Sequence, residues 1–231
     1  MRLIVFDCDG TLVDSQHAII ATMTAAFAEI GPPAPGADAI RDLIGLSLEE
    51  TAAQLWPDAG ISDHAQLIDI YRRLFFEQRK RATAPDPLYP HAEMVLRDLS
   101  AQGYLLGVAT GKSRRGLDAV LASHNLQDLF ITLQTADVHP GKPNPAMLHQ
   151  AMAEAGVTVE DTLMLGDTSF DMAMAVNAGV KPIGVAWGYH SGDALVTAGA
   201  QVVLDDFPGL IAWMTDFWPQ SEAETEPWLE P

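Results

Sequence analysis

Two carboxylates two residues apart, Asp7 and Asp9, are the first residues of the sequence whose types and spacing could do chemistry. They directly follow an apolar run at residues 3–6, which is typical of a short buried strand. Gly10 comes next and allows the chain to turn at once. Ligands of open α/β sheets bind at the carboxyl ends of strands, where two unpaired negative charges need an opposite charge. Mg²⁺, which prefers carboxylate oxygens, is the simplest counterion.

Further downstream, other candidate residues stand where predicted strands end, on a rigid loop or in the first turn of a predicted helix, and they are Thr110, Gly111, Lys142, Asp167 and Asp171. The Thr110 hydroxyl and the free amides after it could hold a phosphate, because a helix is predicted to begin there. Prolines restrict the backbone next to Lys142 and indicate a rigid loop. Taken singly, each residue also has an ordinary explanation as a turn, cap or surface residue.

The order of the predicted elements divides the chain into an all-helical block and an alternating part. Residues 15–87 show helical periodicity and no convincing strand, whereas residues 88–217 alternate helices with short apolar strands. Such alternation predicts an α/β fold with a parallel sheet covered on both faces. Because the first strand precedes the helical block, we expect one core domain from residues 1–14 and 88–217, with 15–87 inserted. Residues 218–231 are acidic and aperiodic, and predict a flexible tail.

The composition limits the classes of partner. The 231 residues include 13 Lys and Arg against 31 Asp and Glu, a net charge of −18, which argues against nucleic acids and anionic membranes. No apolar run reaches transmembrane length, and Asp7 interrupts the N-terminal apolar run too early for a signal peptide. Cys8 is the single cysteine, which fits a reducing compartment. We therefore expect a cytoplasmic monomer or homodimer with a small-molecule partner.

These motifs together resemble the four signature motifs of the haloacid dehalogenase superfamily of phosphotransferases. Residues 7–12 read DCDGTL and match its motif I, and residues 13–15 continue as in the phosphoglycolate-phosphatase-like branch. The strand that ends in Thr110 resembles motif II, KPNP at 142–145 resembles motif III, and GDTSFD at 166–171 resembles motif IV. Four motifs in this order are far more specific than one. The resemblance implies a Rossmann-like core with the helical block inserted as a cap.

The resemblance also implies a role for each matched residue. Asp7 would be the nucleophile that forms an aspartyl-phosphate, and Asp9 the general acid for the leaving alcohol. Thr110 would bind the phosphoryl group together with Gly111, although the branch usually has Asn at that second position. Lys142 would offset the negative charge of Asp7 and of the phosphate. These roles describe catalysis by covalent transfer followed by hydrolysis.

A Mg²⁺ site is implied by the same motifs. Asp7, Asp9 through its backbone carbonyl, and Asp167 would supply the protein's ligands. Asp171 would support the ion directly or through water. The expected activity is therefore a Mg²⁺-dependent phosphatase acting on a small phosphorylated metabolite.

Three other functions stay open at this point. A sugar phosphomutase of the same superfamily would carry the same motif I. A haloacid dehalogenase is less favoured, because a halide leaves without a proton and Asp9 and the metal would have no task. A catalytically silent binding protein is less favoured because no expected catalytic residue is missing.

The choice of substrate is expected to lie in the helical block, because the four motifs recognise only the phosphoryl group and the metal. Residues 45–50 resemble the specificity loop of helical-capped enzymes, and Ser47 is predicted to cap the helix that follows. Arg41 is the cation that we expect to grip a substrate carboxylate. Phosphoglycolate is therefore favoured over a hexose phosphate.

Ser15 is predicted to cap the first helix of the block.

Overall fold

Six parallel strands form the central sheet of this computed structural model, which describes residues 1–218. The strands are β1 Leu3–Phe6, β2 Leu105–Thr110, β3 Phe130–Thr135, β4 Thr162–Gly166, β5 Lys181–Val185 and β6 Val202–Leu204. Their spatial order is β3-β2-β1-β4-β5-β6, so β1 lies between β2 and β4. The strand order reverses beside β1, and this is the position where ligands bind in open α/β sheets.

Helices cover both faces of the sheet, and five of them lie between β1 and β2 in the chain, the first four forming the helical block. The helices are α1 Gln16–Ile30, α2 Ala37–Arg41, α3 Leu48–Leu55, α4 Ile61–Arg81, α5 Ala92–Ala101, α6 Arg114–Ser123, α7 Ala146–Ala155, α8 Ser169–Ala178, α9 Gly192–Thr197 and α10 Phe207–Phe217. The predicted α/β class is confirmed. Helix α9 is missing from the prediction, because six residues are too few to show a helical period.

The alternation of side chains along β1 explains why the sheet is covered twice. Ile4 and Phe6 lie in one hydrophobic core with residues of α5, α6 and α10. Leu3 and Val5 lie in a second core with residues of α7 and α8. Successive side chains of a strand point to opposite faces, so an entirely apolar strand needs packing on both. Cys8 belongs to the first core and is fully buried, so it packs there as a small apolar side chain.

Helices α1–α4 have a hydrophobic core of their own, which includes Phe27, Ile40, Leu67 and Tyr71. The two segments that connect this helical block to the α/β part lie side by side. The amide of Asp14 donates to the carbonyl of Pro87 at 2.9 Å, and an antiparallel bridge joins Val13 to Leu88. The helical block is thus connected to the sheet by two adjacent segments.

Two local predictions need correction. Sequence periodicity predicts a helix over 37–44, but α2 ends at Arg41, because the amides of Leu43 and Ile44 donate to carbonyls three residues back, as in turns, and not four. The tail predicted at 218–231 begins too early: Trp218 is buried, with the Arg2 guanidinium 4.7 Å from its ring centre. The rest of that tail lies outside the described residues.

Within residues 1–218, no helix combines the length and apolarity that crossing a membrane requires.

Candidate active site

The candidate site lies where β1, β2 and β4 end side by side. Asp7 follows β1, Thr110 is the last residue of β2, and Asp167 follows β4. Because these strands are parallel neighbours, their carboxyl ends lie at one edge of the sheet. Lys142 reaches this edge from the loop after β3, and Asp171 reaches it from the first turn of α8. The structure therefore brings the candidate residues of all four motifs together.

A buried lysine bridges two of the carboxylates. The Lys142 Nζ lies 2.8 Å from Asp7 Oδ1 and 2.6 Å from Asp171 Oδ1, and all three side chains are buried. Burial favours the neutral amine, but the charges of Asp171 and Asp7 outweigh it and raise the pKa of Lys142 above its ordinary value. The lysine therefore stays charged.

The carboxylates Asp7, Asp167 and Asp171 form a group that fits a divalent cation. One oxygen from each lies within 4.8 Å of the others. Burial raises the pKa of Asp7, with Lys142 only partly offsetting it, and burial next to Asp171 and Asp7 also raises the pKa of Asp167. Asp7 Oδ2 is buried and accepts no hydrogen bond from residues 1–218. Three buried carboxylates with one lysine leave negative charge that Mg²⁺, a hard cation, would balance.

Asp171 and Asp9, two of the predicted metal ligands, make different contacts. Asp171 Oδ2 accepts hydrogen bonds from the Thr168 amide at 3.0 Å and the Thr168 hydroxyl at 2.7 Å, while its Oδ1 faces Lys142. This is a capping box that begins α8. The carboxylate of Asp9 is not part of this group and instead contacts Lys112 and Ser15. Its predicted role as a ligand rests on the backbone carbonyl.

Asp167 is held in place by donors on both sides and by two glycines. The Thr11 hydroxyl donates to Oδ1 and the Tyr189 amide donates to Oδ2, each at 2.9 Å. A Cβ at Gly10 would lie 2.1 Å from Asp167 Oδ2, and the φ of Gly10 is +83°. A Cβ at Gly188 would lie 2.1 Å from Asp167 Cβ. Segment 187–189, which follows β5, therefore positions this carboxylate.

Replacing Gly188 with Ala tests this close approach. The added methyl group must displace Asp167, and we expect a loss of about 1–3 kcal/mol in the free energy of unfolding, as for other overpacked positions. Gly192→Ala is the matched control, because its Cβ would meet nothing closer than Val203 Cγ1 at 3.8 Å. Urea denaturation measures both variants. Equal stability of the two would contradict the proposed clash.

Asp9 is paired with a residue that the sequence analysis missed. The Lys112 Nζ lies 2.9 Å from Asp9 Oδ1, and the Ser15 hydroxyl donates to the same oxygen. Burial lowers the pKa of Lys112, but the charge of Asp9 and the hydrogen bond to it raise the pKa above its ordinary value. The sequence did contain a signal for Lys112, because this lysine lies two residues after Thr110, the predicted phosphate-binding residue. Ser15 makes no side-chain cap bond, so its predicted capping role is wrong, because its hydroxyl is used by Asp9.

Thr110 and Gly111 lie beneath the helical block. The buried Thr110 hydroxyl accepts a hydrogen bond from the Lys112 amide at 3.2 Å. A Cβ at Gly111 would lie 2.5 Å from the Leu46 carbonyl oxygen. A side chain such as Asn would therefore collide with the loop before α3, which explains the glycine here. Ser47 caps α3 through a capping box, as predicted.

A cavity of about 1020 Å³ lies between the helical block and the sheet edge. Its lining includes Asp9 and Lys112 from the α/β part, with Tyr71 and Phe75 from α4. Arg41 is not among the described residues that line this cavity. Its guanidinium lies 2.8 Å from Asp38 on the same short helix. The structure therefore does not bring Arg41 to the other candidate residues.

Comparison with known proteins agrees with this geometry. The family described as haloacid dehalogenase-like hydrolase matches residues 4–185. A protein of Dickeya dadantii named "Probable phosphatase IndB" is 35% identical over 211 residues, which cover 90% of this chain and 91% of that protein. A phosphoglycolate phosphatase of Pseudomonas putida is 30% identical over 220 residues, covering 93% of this chain and 80% of the relative.

The fold is also found in solved structures. A predicted phosphoglycolate phosphatase from Haemophilus somnus superposes with a TM-score of 0.81, covering 92% of this chain and 97% of that one. At 22% identity this similarity concerns the fold alone. The family match and the two curated relatives go further: the chain belongs to the haloacid dehalogenase-like hydrolases, as a phosphoric monoester hydrolase similar to phosphoglycolate phosphatases.

Proposed function

We propose that this protein is a Mg²⁺-dependent phosphatase that hydrolyses a small phosphorylated metabolite through an aspartyl-phosphate on Asp7. The observation that carries the proposal is the environment of Asp7. It follows the central strand β1, contacts Lys142, lies within 4.8 Å of two further carboxylates, and has one buried oxygen that accepts no hydrogen bond from residues 1–218. Bound Mg²⁺ would offset the repulsion between this anion and the phosphate.

The reaction needs two displacements, and the chain offers a group for each. In the first, Asp7 attacks phosphorus, the bond to the ester oxygen breaks, and Asp9 donates a proton to the leaving alcohol. In the second, water attacks the same phosphorus, Asp9 accepts its proton, and the carboxylate of Asp7 is released. The Thr110 hydroxyl and Lys142 would hold the phosphoryl oxygens in both steps.

We favour phosphoglycolate as the substrate because the Pseudomonas putida relative bears that activity in its name. A sugar phosphomutase would instead return the phosphoryl group to a sugar. Analysis of the products distinguishes the two, since a phosphatase releases inorganic phosphate in amounts equal to the alcohol. The cytoplasmic location and the monomeric or homodimeric state stay predictions.

The metal site is tested by Asp167→Asn. This change removes one charge from the carboxylate group but keeps the size of the side chain. We expect calorimetric Mg²⁺ affinity to fall by about 10-fold or more, in line with a lost charged ligand. The Tm of the metal-free protein should not fall, because repulsion among buried carboxylates decreases. Unchanged Mg²⁺ affinity would contradict the assignment.

The activity itself is tested with a generic phosphate ester. Wild type should release phosphate with Mg²⁺ and lose this activity with a chelator, and added Mg²⁺ should restore it. Full activity in the presence of the chelator would overturn the proposed dependence on metal. No phosphate release from any ester in a broad panel would overturn the proposed function.

A further inference from the structure

Among the cations that line the cavity, Lys112 contacts Asp9, the proposed general acid. Its Nζ is 2.9 Å from Asp9 Oδ1, and its side chain is 8% exposed. The Phe75 ring centre lies 5.7 Å from the same nitrogen, so α4 closes the other side. An ammonium group has three donors, and among residues 1–218 the ion pair with Asp9 uses one of them. The remaining donors can serve a ligand in the cavity.

The chemistry of the leaving group determines where a substrate carboxylate must lie. In phosphoglycolate, the carboxylate carbon is two bonds from the ester oxygen. Asp9 must contact that oxygen in order to protonate it. The carboxylate is then held beside Asp9 by the short covalent link. A cation that contacts Asp9 is therefore placed to contact the substrate carboxylate also.

The other cations that line the cavity are less suited to this task. Arg72 lies 3.1 Å from Glu49, and Arg79 is paired with Asp86. Lys80 and Arg115 are exposed residues that contact the Phe76 ring, with distances of 4.3 and 4.1 Å to its centre. Each of these groups is either paired with a carboxylate other than Asp9 or placed at an exposed ring.

We propose that Lys112 is the residue that selects the substrate, by binding a carboxylate two bonds from the ester oxygen. This inference rests on the proposed phosphatase function and assigns to Lys112 the role that the sequence predicts for Arg41. The substrate class is a phosphate monoester of a 2-hydroxy acid. A phosphate ester without the carboxylate would leave Lys112 paired only with Asp9.

The experiment compares two substrates that differ in this one group, phosphoglycolate and 2-hydroxyethyl phosphate. For Lys112→Met we expect kcat/KM to fall about 10–100-fold further on phosphoglycolate than on 2-hydroxyethyl phosphate, as for loss of a charge-assisted hydrogen bond. Lys112→Arg keeps the cation and should recover part of the difference. Arg114→Met is the matched control, because Arg114 pairs with Asp118 on the exposed side of α6 and should show no selective loss.

The outcomes distinguish a failure of this proposal from a failure of the proposed phosphatase function. An equal loss on both substrates, in a Lys112→Met protein with wild-type circular dichroism, would mean that Lys112 acts only through Asp9 and would overturn the proposal. A selective loss in Arg41→Met instead would return the role to Arg41. Wild type that hydrolyses other esters but not phosphoglycolate would overturn the carboxylate inference and leave the phosphatase function standing. Wild type inactive on every ester would overturn the phosphatase function.

Discussion

Asp7→Asn is expected to lower kcat by about 10⁴-fold or more, the scale of loss seen when a catalytic nucleophile is removed. A neutral amide is a poor nucleophile toward phosphorus, so the covalent intermediate cannot form. The measurement is the release of inorganic phosphate from a generic ester at saturating Mg²⁺. Wild type stopped rapidly in acid should also carry one added phosphoryl group by mass spectrometry, and Asp7→Asn should carry none.

Asp14→Asn provides the matched control for this variant. Asp14 lies seven residues later on the same segment, where its carboxylate accepts a hydrogen bond from the Gln16 side chain at 3.2 Å. We expect near wild-type activity from this protein. If Asp7→Asn kept a similar rate, the covalent mechanism would be wrong.

Lys142→Met is expected to have the second-largest effect and to act on stability and activity together. The lysine is fully buried between Asp7 and Asp171, so its removal leaves buried carboxylates without their cation. We expect a loss of about 3–5 kcal/mol in the free energy of unfolding of the metal-free protein. We also expect a decrease of about 10²–10³-fold in kcat, since a positive charge facing the phosphoryl group is lost. Denaturant titration and steady-state kinetics measure the two quantities.

A double variant separates the two effects. Lys142→Met with Asp171→Asn removes one carboxylate together with the cation, so much of the lost stability should return. The activity should stay low, because the charge that faces the phosphoryl group is still absent. Recovery of activity together with stability would show that Lys142 has only a structural role. Unaltered stability of the single variant would contradict the buried ion pairs.

The order of strands and helices was predictable from local patterns. The apolar run before Asp7 and the alternation after residue 88 both carry the periodicity of buried strands and amphipathic helices. The four motifs follow strand ends in the sequence, and parallel strands place these ends at one edge. Thus the approach of Asp7, Thr110 and Asp167 follows from topology once the α/β class is known.

The partners of individual side chains were not predictable in the same way. Ser15 has the residue type and position of a helix cap, yet its hydroxyl donates to Asp9. Arg41 stands just before the predicted specificity loop, yet it contacts Asp38 and not the cavity. Ser15 was expected to have a local role and makes a contact with the candidate site instead, whereas Arg41 was expected to reach a substrate and makes a local ion pair on its own helix.

The sequence by itself determined the fold class, the family and the residues at the strand ends, because these depend on periodicity and on motifs within short segments. Tertiary structure alone decided that Lys112 lies against Asp9, that Gly188 approaches Asp167, and that the Leu46 carbonyl lies against Gly111. The physical reason is that such contacts join residues far apart in the chain or on different elements. Their distances depend on how the packed helices and strands are oriented, which local propensity does not specify.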